Sequence, residues 1–309
     1  MSTADRPLRL METFHNLFYT PIYVAVGGGF LSQQGLDVSL HTAPPGKTVI
    51  ELLKAGEVDI VQTGVSRSFM DLDAGHDDAP LHIAEINQRD GFFLISRTPT
   101  DGWTWHDLEG ASVIPVGFTP VPWTSLRYAM LENGVDLAKV RLLAGLSAEQ
   151  ALDTFRRGDA DYIHMPNPQA EQLVEDGVGH IAVGLGPLLG YICYSSFAVT
   201  PAFLTANTEL VQRFVTGWHH TLQWMAQSTT AEVVQQVTSF FPETAEVVLE
   251  RSIARYRQQH TWPDHPLIGE DGFTRIRDMF IAAGLVKARY PYERLVRPEF
   301  ARHAIAVSH

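Results

Sequence analysis

Hydrophobic and polar positions along this chain switch repeatedly between a period of two and a period near 3.6. Leu8 to Thr13 predicts a strand, and a polar turn carrying His15 and Asn16 follows it. Pro21 stands where the next helix begins, a position at which its missing N–H and fixed φ cost nothing. The pattern predicts a helix over Ile22–Phe30 with Gly35 as its stop, then an alternating strand over Asp37–His41. Thr48–Ala55 predicts a short amphipathic helix ended by Gly56, and Val58–Val61 a buried strand. Phe69–Ala74 predicts a helix that Ser66 or Ser68 would cap. Strands alternating with helices in this way indicate an α/β protein. In open α/β sheets, ligands bind at the carboxyl ends of the strands.

The step Leu52-Leu53-Lys54-Ala55-Gly56-Glu57-Val58-Asp59-Ile60 returns far downstream as Thr154-Phe155-Arg156-Arg157-Gly158-Asp159-Ala160-Asp161-Tyr162. Two copies of a helix–glycine–x–Val/Ala–Asp–strand step mark two pseudo-equivalent lobes. Strands are expected at Leu81–Glu85 and Gly91–Ser96, around the polar kink Asn87-Gln88-Arg89-Asp90. The loop Thr98–Gly102 is expected to be the first crossing between lobes, and Tyr191–Thr200 the return. That places lobe one at 1–98 and 197–309, and lobe two at 99–196. Within lobe two, a strand is expected over Ala111–Val116 and helices over Ser125–Glu132, Ala148–Arg157 and Gln169–Glu175. Thr208–Met225 has a strong 3.6-residue period, with Val211, Phe214, Val215, Trp218 and Leu222 on one face. Ala231–Val237, Ala245–Tyr256 and Gly272–Ala283 continue the helical pattern and are expected to buttress lobe one.

The Pro-led helix closing on Gly29, Phe30, Leu31, Gly35, Leu36 and Asp37 resembles the opening of the type II periplasmic solute-binding fold. The resemblance is to the branch that holds sulfonate-, taurine- and pyrimidine-binding proteins and the fungal thiamine-pyrimidine precursor synthase. Asp107-Leu108-Glu109-Gly110, leading into the strand Ala111–Val116, is similar to that family's lead-in to its second lobe. The resemblance implies two lobes, each a mixed sheet flanked by helices, with a helical C-terminal extension on lobe one. It also implies a small-molecule ligand in the interlobe cleft and, for an exported member, a membrane permease as partner.

Composition narrows the classes of function. With 309 residues, 45% apolar and 19% charged, the chain can bury a large core. A net charge of −12 argues against nucleic acid or an anionic membrane surface as partner. Cys193 is the single cysteine, so neither an internal disulfide nor a cysteine-rich metal site can form. No apolar run approaches the ~18 residues of a membrane-spanning helix, so direct membrane insertion is not expected. MSTADRPLRL has neither the apolar core of a signal peptide nor a lipid-attachment cysteine. As it stands, that points to the cytoplasm; a chain that has lost an export signal would belong in the periplasm or outside the cell. The histidines show no zinc-ligand spacing and Gly27-Gly28-Gly29 follows no strand, so neither metal nor cofactor is expected.

The candidate ligand-binding residues sit at the expected strand ends. In the first turn these are His15, Asn16 and Tyr19. In the second they are Gly64, Ser66 and Arg67, where a helix N-terminus and a guanidinium favour an anionic oxygen. Arg89 in the polar kink could add a second cation. In lobe two, Gly117, Phe118 and Thr119 form the matching turn, and Met165 and Asn167 follow the strand after Asp161; His164, beside them, should also face the cleft.

Two functions of different class fit. One is a binding module for a small organic ligand, anionic and planar or partly apolar, serving an ABC-type transporter or a sensor. The other is a cofactor-independent lyase, decarboxylase or hydrolase on the same scaffold, acting on an aromatic or heterocyclic acid. His15, His164 and Cys193 are its candidate catalytic groups. The pyrimidine synthase of the resembled branch anchors pyridoxal phosphate on a lysine, but Thr63 stands at that position and Arg67 at that of its histidine. A Schiff base needs an amine, and neither residue provides one. Binding is the preferred reading, because no catalytic triad is evident.

Overall fold

The computed structural model describes residues 7–117 and 120–307. The chain divides into two compact units. Unit one comprises the chain up to Gln88, Tyr191–Glu243 and the chain from Trp262 onward; unit two comprises Arg89–Gly190 and Thr244–Thr261. Unit one opens with β1 (Leu8–Glu12), α1 (Thr20–Gly27), β2 (Val38–Thr42), α2 (Val49–Lys54), β3 (Ile60–Thr63), α3 (Val65–Asp73) and β4 (Leu81–Asn87). Unit two follows with β5 (Phe92–Ser96), β6 (Ser112–Ile114), α4 (Pro120–Glu132), β7 (Arg141–Leu142), α5 (Ala148–Arg157), β8 (Tyr162–Pro166), α6 (Gln169–Glu175), β9 (His180–Gly184) and α7 (Leu185–Leu189). The chain re-enters unit one for β10 (Ser195–Val199), α8 (Pro201–Ala206), α9 (Thr208–Gln227) and α10 (Thr230–Val237). It then gives α11 (Glu246–Gln258) to unit two and closes unit one with α12 (Glu270–Ala282), α13 (Tyr292–Leu295) and α14 (Pro298–Ala306).

The two sheets have the same plan. Unit one has strand order β2-β1-β3-β10-β4 and unit two β7-β6-β8-β5-β9. In each, three parallel strands are followed by one antiparallel strand in fourth place, β10 or β5. The repeated Val/Ala–Asp step leads into β3 and β8, the two equivalent strands. Asp59 accepts the backbone N–H of Arg9 at the start of β1 (2.9 Å), and Asp161 that of Ser112 at the start of β6 (2.8 Å). The apolar face of α9 covers the unit-one sheet, with Trp218 and Phe214 edge-on to Phe197 at 4.7 and 4.9 Å.

Several boundaries differ from the sequence reading, for identifiable reasons. β5 pairs with β8 and β9, so the chain leaves unit one at the Gln88-Arg89 kink rather than at Thr98–Gly102, and returns at Tyr191. α11 belongs to unit two and does not buttress unit one: Arg251 pairs with Glu175 and Arg255 with Glu171, one helical turn apart. α1 ends at Gly27, not at Phe30. A Cβ on Gly28 would lie 2.7 Å from the Val24 carbonyl oxygen, and Gly29 has φ +75°. Gly35, with φ +68°, closes the short turn Ser32–Gln34 instead. Neither Ser66 nor Ser68 caps α3; Gly64 does, and the Ser68 hydroxyl donates to the Pro80 carbonyl inside the fold.

Candidate functional site

In unit one, the carboxyl ends of β1, β3 and β4 and the start of β10 share one sheet edge. The turn after β1 is built on Glu12, a residue only 1% exposed. Its carboxylate accepts the hydroxyls of Thr42 (2.8 Å) and Tyr23 (2.5 Å) and meets His15 Nδ1 at 2.8 Å. His15 Nε2 lies 2.8 Å from the Phe240 carbonyl, and the imidazole stacks on Phe241 with ring centres 4.5 Å apart. A carboxylate and a carbonyl both accept, so this geometry favours a proton on each ring nitrogen. The hydrogen bond to Glu12 raises the His15 pKa, with the Glu12 charge adding to it and burial opposing. The Asn16 Oδ1 accepts from Phe18 N–H at 2.9 Å and caps the turn Leu17–Tyr19. Tyr19 is buried edge-on against Phe14. The structure therefore brings His15, Asn16 and Tyr19 to the strand end, but each also holds the turn together.

The turn after β3 is different. Gly64 N-caps α3 without a side-chain hydrogen bond, and a Cβ there would come 3.1 Å from the Tyr194 carbonyl oxygen. Capping boxes close α2, α5 and α10 through Thr48/Glu51, Ser147/Gln150 and Thr229/Glu232. The first-turn amides of α3 have no such side-chain acceptor and favour an outside anion. Arg67 sits half-buried in that first turn, and its guanidinium makes no hydrogen bond or ion pair with any described residue. Burial without a counter-charge lowers its pKa. The buried Ser66 hydroxyl beside it is also unpaired among the described residues.

In unit two the corresponding edge gathers the carboxyl ends of β6, β8 and β9 with the start of β5. Met165 and Asn167 are buried there, and Gly117 is exposed; Phe118 and Thr119 lie outside the described residues. The Asn167 backbone N–H donates to the Tyr256 hydroxyl at 2.8 Å, and its Oδ1 accepts from Glu171 N–H at 3.1 Å. Arg89 is half-buried with no hydrogen bond or ion pair to a described residue. Sequence reasoning missed three residues at this edge. Asp90 is fully buried, Ser125 is hidden in α4, and Gln259 lies just past α11. Only the kink before Asp90 offered a signal.

The groups expected to do chemistry are poorly placed for it. His164 lies in β8 opposite Leu94, fully buried with its ring 5.3 Å from that of Phe92. Burial lowers its pKa to about 3, which leaves a neutral imidazole. Cys193 is fully buried, and desolvation, with Glu85 adding to it, pushes its thiol pKa well up. A nucleophilic cysteine needs the reverse, a cationic neighbour that favours thiolate. His82 hydrogen-bonds Ser68 at 2.9 Å and Ser196 at 2.7 Å, but it too is fully buried and held neutral, with a pKa lowered to about 3. Among the described residues no group of three or more His, Cys, Asp or Glu could hold a metal, and no helix is long and apolar enough to cross a membrane.

Two mixed sheets of equal plan, with ligand-end turns on each, define a two-lobed type II periplasmic-binding-protein fold. The chain belongs to the NMT1-like family, which matches residues 11–239. It is 27% identical over 296 residues to YtlA of Bacillus subtilis (strain 168), which carries the name of a binding protein; the match covers 95% of this chain and 88% of that one. Among solved structures, the alkanesulfonate-binding protein SsuA from Xanthomonas axonopodis pv. citri, bound to MOPS, superposes with a TM-score of 0.70 at 18% identity. That match covers 94% of this chain and 98% of SsuA. The desulfurization enzyme DSZB superposes equally well, with a TM-score of 0.70 at 15% identity, covering 98% of this chain and 100% of DSZB. The fold alone thus accommodates both binding and catalysis.

Proposed function

We propose that this chain is the substrate-binding protein of an ABC-type uptake system and takes a small organic anion. The observation that carries the reading is Arg67: a half-buried guanidinium without a counter-charge among the described residues, in the first turn of an α3 that has no side-chain cap. A desolvated, unpaired cation at a helix N-terminus is destabilising unless a ligand completes it. Sulfonate and carboxylate both fit a guanidinium fork with backbone amides. The aromatic rings of Phe14, Phe18 and Tyr19 at the neighbouring turn suit a planar or partly apolar body. The kinship with YtlA and the shared fold of an alkanesulfonate-binding protein support the same reading. Such a protein works outside the cytoplasmic membrane, with a permease as its partner.

Binding is favoured over turnover by the state of the three candidate catalytic groups: His15 is engaged at both nitrogens, and His164 and Cys193 are fully buried. Isothermal titration calorimetry against a panel of alkanesulfonates, arylsulfonates and aromatic carboxylates tests the proposal. We expect micromolar binding of one class, weakened at least about tenfold in Arg67→Gln by loss of a charge-assisted hydrogen bond. Equal affinity in the variant, or conversion of the ligand to product in a mass-spectrometric assay, would overturn the reading.

A further inference from the structure

His15 ties together two parts of unit one that lie 225 residues apart in the chain. Its Nδ1 is 2.8 Å from Glu12 Oε1, and its Nε2 is 2.8 Å from the Phe240 carbonyl oxygen, in the turn Thr238–Phe240 that follows α10. The same turn seats its rings on the imidazole and on α1. Phe241 stacks on His15 at 4.5 Å, and Tyr23 lies 5.2 Å from Phe240 and 5.1 Å from Phe241. A Cβ on Gly27 would fall 2.9 Å from the Phe240 ring, so a glycine there keeps that seat open. Two further hydrogen bonds of the run are local, from the Thr238 hydroxyl to the Val234 carbonyl and from Phe241 N–H to the Thr238 carbonyl. Thr238, Ser239, Pro242 and Glu243 are exposed, and after Glu243 the chain passes into unit two.

Both partners of the imidazole are acceptors, so two bonds require two N–H groups and hence the imidazolium. A neutral ring has only one. The Glu12 carboxylate offers the stronger, charge-assisted bond, so the neutral ring keeps its proton on Nδ1. The bond that goes is the one to Phe240, where a bare Nε2 lone pair then faces a carbonyl oxygen. Among the described residues, the titratable groups touching the ring are Glu12 from β1 and Tyr23 from α1. Burial pushes the Tyr23 pKa well up, so that phenol stays neutral. β2 contributes the Thr42 hydroxyl to the same Glu12 oxygen, while its His41 is exposed and bonded to Ser39. The His15 side chain is 38% exposed, so solvent protons reach it. We propose that His15 is a proton-operated clasp: the imidazolium fastens the run Thr238–Phe241 to the turn after β1, and deprotonation keeps Glu12 and lets the run go. The hydrogen bond to Glu12 raises the His15 pKa above 6.5, which puts release on the neutral-to-alkaline side. The device acts on the segment through which the chain leaves unit one, and it is independent of the anion-binding reading.

The test follows two observables by nuclear magnetic resonance on the full chain without ligand, from pH 5.5 to 9: the titration of the His15 ring, and hydrogen exchange of the Phe241 amide corrected for its intrinsic pH dependence. The Trp218 amide, within α9, is the control for global unfolding. A loss of Phe241 protection by about tenfold, with its midpoint at the His15 pKa and Trp218 protection unchanged, supports the proposal. His15→Asn should then leave Phe241 weakly protected at every pH, and Glu12→Gln should move the midpoint down with the His15 pKa. Constant Phe241 protection through the His15 titration, a transition that survives in His15→Asn, or an equal loss at Trp218 overturns it. Should either variant fail to fold, the native chain decides: coincident midpoints support the clasp, and separate ones overturn it. Because no ligand is added, failure here leaves the anion-binding reading of Arg67 standing, and failure of that reading leaves the clasp standing.

Discussion

Asp161 accepts two hydrogen bonds from Ser112, one from the backbone N–H at 2.8 Å and one from the hydroxyl at 2.6 Å. Asp59 stands in the same relation to Arg9, accepting its backbone N–H at 2.9 Å and its guanidinium at 2.8 Å. The registers agree as well: Leu10 pairs with Ile60, and Val113 with Tyr162. A short acidic side chain just before each central strand thus fixes that strand against its parallel neighbour. Asp59 is 3% exposed, so Asp59→Ala leaves the Arg9 N–H without its acceptor and the guanidinium with the Gly56 carbonyl at 2.8 Å. It is expected to destabilise unit one by about 2–4 kcal/mol. Urea unfolding followed by circular dichroism measures this, and a loss below about 0.5 kcal/mol would refute the role.

That relation explains how much of the architecture could be read from the sequence. The paired glycine–x–Val/Ala–Asp steps are local, and they reported two lobes of like plan before any contact was known. The ownership of β5 and α11 is not local. β5 falls with β4 in lobe one when read by sequence order, yet its hydrogen bonds go to β8 and β9. α11 looks like one more amphipathic helix in a helical tail until Glu171 and Glu175 are placed opposite Arg255 and Arg251. The site was legible in the same uneven way. Arg67 declared itself as a cation after a strand–glycine turn. Ser125 and Gln259, uncharged and embedded in helical sequence, became visible only when the fold left their polar atoms unpaired.

Two titrations should make stability fall as pH rises, in different windows. A histidine of raised pKa adds stability that is full below its unfolded value of about 6.5 and disappears as pH climbs through the folded value. For His15 the cause is structural: a neutral ring has one N–H for two acceptors, the Glu12 carboxylate and the Phe240 carbonyl. Asp90 carries the same sign lower down. Its folded pKa of about 7 exceeds the unfolded value of about 3.9, so its contribution is full below about 4 and is lost as pH rises toward 7. Thermal unfolding from pH 4 to 9 should therefore show Asp90→Asn flattening the acidic half of the profile and His15→Asn the alkaline half. Profiles parallel to the native one would contradict both assignments.

Cys193 is expected to be a packing residue. It is fully buried near Glu85, whose own pKa is pushed well up by burial, and no cation among the described residues favours thiolate there. A thiol reagent such as 5,5′-dithiobis(2-nitrobenzoate) should react with the native chain only on the timescale of unfolding, and promptly in urea. Cys193→Ala should bind ligand like the native chain and lose about 1 kcal/mol of stability through the small cavity it leaves. Rapid labelling under native conditions would contradict this burial. Loss of a turnover activity in Cys193→Ala would restore the enzymatic reading.

Arg67 should show stability and function pulling in opposite directions. Its guanidinium gives up hydration without gaining a partner among the described residues, and that burial lowers its pKa. Arg67→Met keeps most of the apolar stem and removes the charge, so the unliganded chain should become more stable, by up to about 1 kcal/mol. The same substitution should abolish the rise in melting temperature that a tight-binding anion produces in the native chain, a rise that follows from mass action on the folded state. Arg67→Lys restores the charge as a point without the planar fork, and should recover only part of the ligand-induced shift. The three chains can be compared by differential scanning fluorimetry at several anion concentrations. A destabilised Arg67→Met with an undiminished ligand response would mean that Arg67 supports the fold of α3 and does not meet the ligand.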